Sequence, residues 1–110
     1  MEKLARYRTT IDNILTGYAD WSTSDGVTAE KVIDLTKDHF EVVRFGWEGN
    51  RHIHGSILHL DIRNEKIWIQ YDGTSNPVAL ELEAAGVPKC DIVLGFIPPE
   101  HRPYTGYAVG

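Results

Sequence analysis

The stretch RHIHGSILHLD, residues 51–61, places His52, His54, His59 and Asp61 within ten positions. Imidazoles and a carboxylate at that density are the raw material of a metal centre or an acid–base pair. Side chains on a strand alternate between faces, so His52 and His54 form an H-x-H pair while His59 and Asp61 take the other parity. A catalytic zinc site needs three protein ligands and an open position. His52 and His54 supply two, and His39 and His101 are the remaining imidazoles that could add a third. Unless a bulge at Gly55 resets the alternation, the strand alone builds no three-histidine centre. The pair reads as exposed edge histidines, and no metal or cofactor is expected.

His59 and Asp61 have better company. Leu58, Leu60 and Ile62 share the inward parity, which turns Ile57, His59 and Asp61 away from the core. In KIWIQYD, residues 66–72, Ile67, Ile69 and Tyr71 look inward, leaving Trp68, Gln70 and Asp72 outward. Pairing of the two segments through Asn64-Glu65 makes His59, Asp61, Trp68 and Gln70 neighbours on one face. A tryptophan among hydrogen-bonding side chains is the composition of an interaction surface. His59 and Asp61 could instead serve a small enzyme as an acid–base pair with His101, but no nucleophile accompanies them in sequence.

These side chains need a frame to hold them. Leu4, Tyr7, Ile11, Ile14, Leu15 and Tyr18 draw one apolar stripe at helical spacing over residues 2–20, with Glu2 and Gly17 suited to the ends. The period then changes to two. EKVIDLT, FEVVRFGWE, RHIHGSILHLDIR and KIWIQYD read as strands, separated by Lys37-Asp38, Glu48-Gly49-Asn50 and Asn64-Glu65. Connections this short fit antiparallel hairpins and leave no room for parallel crossovers. After YDGTSN, Asn76 can cap a helix that Pro77 opens and Gly86 ends. The tail IPPEHRPYTGYAVG is expected to be extended. The reading is one α+β domain over residues 1–110: an N-terminal helix, a four-stranded antiparallel meander, a C-terminal helix and an extended tail, with both helices on one sheet face.

Bulk properties narrow the function. The chain has 110 residues, 42% hydrophobic and 25% charged, enough to bury a core without disulfides or a structural metal. Cys90 is the single cysteine and reads as a small residue in a packed turn, which fits a reduced, cytoplasmic setting. The N-terminus lacks a signal-peptide apolar stretch, and no apolar run reaches the length of a membrane span. Sixteen acids against eleven bases give a net charge of −5, the wrong sign for gripping nucleic acid through its phosphates. DGTSNP could offer backbone N–H groups to a phosphate, but it lacks a nucleotide loop's glycine spacing and lysine and reads as a capped strand-to-helix turn. Self-association is expected, because a half-covered sheet leaves apolar area exposed.

Several segments together resemble the XisI family: EKLARYRTTIDNILTGYA (2–19), VVRFGWEGNRHIHG (42–55), LHLDIRNEKIWIQYDGT (58–74), GVPKCDIVLGF (86–96) and PPEHRPYTGYAVG (98–110). The resemblance covers essentially the whole chain. His59 and Asp61 fall in its recurring H-x-D-I part, whereas His52 and His54 lie where other residues are common. The chain departs from the pattern at Ile97, usually polar or histidine, and at Gly106, usually acidic. Members of that family are fdxN-element excision controlling factors, found mainly in cyanobacteria. The resemblance implies a role in developmentally regulated, site-specific excision of a DNA element, beside a recombinase complex and a partner called XisH. On that footing the expectation is a non-catalytic adaptor that binds an XisH-like protein, with no direct grip on DNA. The contact residues expected are His59, Asp61, Trp68 and Gln70 on the sheet and Arg102 and Tyr104 in the tail. A small His/Asp-dependent enzyme or a metal-binding protein is the alternative.

Overall fold

A computed structural model describes residues 2–110. The chain begins with helix α1 (Lys3–Ser22), whose first turn is capped by the Glu2 carboxylate accepting from the Leu4 N–H at 2.8 Å. Tyr7, Ile11, Leu15 and Ala19 recur every fourth residue and are the buried stripe of the helix; Leu4, Ile14 and Tyr18 flank it half-buried. Gly17 lies inside the helix, not at its end as expected.

Strands β1 (Val27–Asp34), β2 (His39–Glu48), β3 (Arg51–Arg63) and β4 (Lys66–Asp72) follow as the expected antiparallel meander. Asn64 and Glu65 both hold positive φ, 51° and 61°, which lets two residues reverse the chain between β3 and β4. In β2, opposite the start of β1, Gly46 has φ 140° and a Cβ there would lie 2.0 Å from the Gly26 carbonyl oxygen, so only glycine allows this approach.

The sheet does not end at four strands. Helix α2 (Val78–Ala84) crosses over to β5 (Ile92–Leu94), which pairs parallel with β4 and makes a mixed sheet in the order β1-β2-β3-β4-β5. The expectation of an all-antiparallel meander is corrected here: the residues between β4 and β5, with their own helix, are the long crossover a parallel pair requires. The cap of α2 is also not the expected one. Asp72 turns inward and accepts the Val78 N–H at 2.8 Å, while Asn76 offers only its carbonyl, to Thr74. Gly86 ends the segment as expected, with φ 100°.

α1 packs on β1 and β2 and touches α2. The core lies between them and one face of the sheet, where Phe40, Val42, Leu58, Leu60, Ile67 and Ile69 are all but fully buried. Each such side chain contributes about 1.5–3 kcal/mol by leaving water. Arg8 of α1 locks the β1–β2 turn through a two-pronged pair with Asp38, at 2.8 and 3.1 Å. Tyr7 donates to Asp91 at 2.5 Å and Lys3 pairs with the same carboxylate at 3.0 Å, anchoring the lead-in to β5. Among the described residues, no helix is long and apolar enough to cross a membrane.

Candidate functional site on the outer sheet face

Strand alternation is broken twice, and both breaks shape the outer face, the one turned away from the helices. Between β2 and β3, Val42 opposes Leu58 but Val43 opposes Ser56, so Ile57 is an extra residue in β3. Ile57 and Leu58 therefore both turn toward the core, against the expected outward Ile57. Past that bulge, His52 opposes Trp47 with ring centroids 4.7 Å apart, and His54 opposes Phe45. All three histidines of β3 thus share the outer face. The opposite-face assignment from simple parity is corrected, with the reset at Ile57 rather than Gly55.

The second break is in β4. His59 opposes Tyr71 but Leu60 opposes Ile69, which leaves Gln70 as the extra residue. Tyr71 is consequently half exposed instead of lying in the core, and Asp72 faces inward to cap α2.

Beyond both bulges, toward the β3–β4 turn, runs a row of directly opposed residues, His39, Asp61, Trp68 and Val93, one from each of β2 to β5. Asp61 is its buried hub at 1% exposure. Its carboxylate accepts from Arg63 Nε at 3.0 Å and from Gln70 Nε2 at 3.3 Å, and His39 Nδ1 lies 3.7 Å away. Satisfying a buried carboxylate in this way avoids the cost of an unpaired one. Asp61 is therefore enclosed, not displayed on an open face.

Trp68 is flanked by two cations, the Arg102 guanidinium 5.2 Å and the Arg63 guanidinium 5.9 Å from its ring. It too is half-buried, and its indole Nε1 is enclosed without a hydrogen-bond partner among the described residues. The cover comes from the tail. Pro99–Tyr104 forms a 3-10 turn, Arg102 Nε donates to the Ile97 carbonyl at 2.9 Å, and Ala108 donates to the Ile92 carbonyl at 2.8 Å as a bridge beside β5. The expectation of an extended tail is corrected: proline fixes the turn, and Val93, fully buried on the outer side, gives the returning chain an apolar seat.

Of the six expected contact residues, His59, Asp61, Trp68, Gln70 and Arg102 come together. Tyr104 stands apart at 88% exposure. His39 completes the cluster and was missed, because its place opposite Asp61 depends on the Ile57 bulge. His39, His59 and Asp61 are the one group of three among the described residues whose donor atoms approach to within 4.8 Å of one another. His101 and Cys90 are exposed, so Cys90 is not the packed-turn residue expected.

A separate groove of about 870 Å³ opens on the helix side, between α1 and the Gly73–Asn76 turn. Arg44 lines it, with its Nε buried and unpartnered among the described residues.

Comparison with known proteins places this architecture. The family model of the XisI protein matches residues 1–109. The crystal structure of a XisI-like protein from Anabaena variabilis matches with a TM-score of 0.91 at 35% identity, over 97% of this chain and 99% of that one. That of the fdxN element excision controlling factor XisI from the same species matches with a TM-score of 0.86 at 39% identity, over 99% of this chain and all of that one, 100%. No protein with a curated description matches.

Proposed function

This chain belongs to the XisI family, and from that premise we propose that it is a non-catalytic controlling factor for site-specific excision of a DNA element of the fdxN type. It acts by binding an XisH-like protein, within or beside the recombinase complex.

One observation carries the reading. The sheet has helices on one face, and its other face, where the tail does not cover it, exposes Val32 (53%), Phe45 (37%), Trp47 (56%) and Tyr71 (50%). Aromatic side chains on a rigid sheet lose little entropy on docking and supply most of the energy at protein interfaces. A net charge of −5 complements a basic DNA-handling partner better than it does DNA. Tyr104, 88% exposed, is offered by the tail and His59 by β3. Asp61, Gln70, Arg102 and Trp68 form the packed block beside His59. Asp61 thus acts on a partner through what it holds in place.

The test is co-purification of tagged protein with an XisH-like partner, followed by titration. A complex at micromolar concentration that is weakened by Trp47→Ala supports the reading. Absence of a complex, with tight salt-sensitive binding to duplex DNA in its place, would overturn it. Self-association through the same face would show as a dimer that the partner dissociates.

A further inference from the structure

We propose that His39, His59 and Asp61 form a binding site for a divalent transition-metal ion of the zinc class. The antiparallel register places four potential ligands in a grid on the outer face: His39 opposite Asp61, and Glu41 opposite His59. Side chains on opposed positions have Cβ atoms about 5 Å apart, so His39, His59 and Asp61 meet without any loop movement. Donor atoms of His39, His59 and Asp61 already lie within 4.8 Å of one another, and His39 Nδ1 is 3.7 Å from the Asp61 carboxylate. Ligands around a tetrahedral zinc ion at about 2.1 Å sit roughly 3.4 Å apart. Small side-chain rotations close the difference.

Two imidazoles and one carboxylate are a donor set of intermediate softness, suited to zinc, cobalt or nickel and poorly suited to calcium or magnesium. Asp61 is the feature that distinguishes the cluster from a chance surface group. It is 1% exposed, and Gln70 Nε2 donates to it at 3.3 Å, as the outer partner of a ligating carboxylate does. Arg63 occupies the place of the cation. Its Nε is 3.0 Å from the same Asp61 oxygen that faces His39, and its side chain is 57% exposed, so it swings into water without disturbing the strand. The ion replaces Arg63 as the counter-charge of Asp61. The His52 and His54 pair, its ring centroids 6.3 Å apart, lies along the strand near Trp47 and takes no part.

Titration of the purified, chelator-treated full chain with zinc, against a chromophoric competitor, tests the site. One equivalent bound in the micromolar range or tighter is expected, with cobalt(II) giving the visible bands of an imidazole-ligated ion. His39→Ala and His59→Ala should each weaken binding at least about tenfold. Arg63→Gln should bind as tightly or more tightly, and the His52→Ala/His54→Ala double variant should match the parent. Should a variant fail to fold, the ring resonances of His39 and His59 in the parent protein decide, since both must shift on adding one equivalent of zinc. No saturable binding, ring resonances that do not move, or affinity that follows His52 and His54 would overturn the site. The outcome is independent of whether an XisH-like partner is bound.

Discussion

Asp61 and Trp68 face each other across β3 and β4, and only one of them has its polar atoms satisfied. The carboxylate takes hydrogen bonds from Arg63 and Gln70, while the indole N–H beside it has no partner among the described residues. The outer face is thus a second packed layer built around a buried charge, and its cost and stability can be read by substitution.

Asp61→Ala should destabilise the fold by about 2–3 kcal/mol, because it strands the Gln70 amide and leaves a void beside Trp68. Arg63→Ala should cost less, about 1–2 kcal/mol, since the guanidinium is largely in water and Gln70 still donates to the buried carboxylate. Urea midpoints measured on both variants check the order. Equal losses would mean that Asp61 is not the hub.

Arg102 joins the tail to Trp68. Its guanidinium lies 5.2 Å from the ring and its Nε is tied to the Ile97 carbonyl. Arg102→Ala should loosen the segment after Gly95 without unfolding the sheet, costing about 1–2 kcal/mol. Amide exchange reads this directly. The Ala108 N–H, bonded to the Ile92 carbonyl, should exchange faster by an order of magnitude or more, with core amides of β3 little changed.

The helix stripe, the four long strands and their turns were legible because each repeats a period over many residues. The two bulges were not, although they left a trace. Ile57-Leu58 puts two apolar residues side by side in an alternating strand, and the bulge at Ile57 turns both inward. One extra residue there reverses the parity of everything before it, which moved His52 and His54 across the sheet and brought His39 opposite Asp61. At Gln70 the second bulge exchanged the expected roles of Tyr71 and Asp72. β5 escaped because Ile92–Leu94 is too short to show a period, and it pairs only once α2 has carried the chain back. The site was therefore readable in its residues but not in its register.

Tyrosines set the alkaline limit of stability. Tyr7, Tyr18 and Tyr107 donate to Asp91, Glu81 and Glu83 respectively. Burial first and then the carboxylate push Tyr7 and Tyr18 up to about 12, and for Tyr107 the bond to Glu83 leads, also to about 12. An unfolded tyrosine ionises near pH 10. Between about pH 10 and 12 the folded chain keeps protons that the unfolded chain has lost, so this stabilisation is complete below 10 and disappears as pH rises through 12. Unfolding curves should weaken across that window, and a Tyr7→Phe, Tyr18→Phe, Tyr107→Phe chain should lose less. Asp91 acts on the acid side. Burial raises it, but Tyr7 and Lys3 outweigh burial and hold it below 3.8. Its contribution is lost as pH falls through that lowered value, and Asp91→Asn should flatten the acid limb.

Trp47 decides whether the outer face binds a partner. It is 56% exposed and rests on His52, so truncation removes little from the core and Trp47→Ala should change stability by less than about 1 kcal/mol. At the centre of an interface the same change should cost about 2 kcal/mol or more of binding, roughly thirtyfold in Kd. Leu80, 57% exposed on α2 away from this face, is the control, and Leu80→Ala should leave binding unchanged. Titrating both variants with an XisH-like protein separates the faces. Equal binding by the two would place the partner elsewhere, because a docked sheet face cannot lose its largest aromatic without effect.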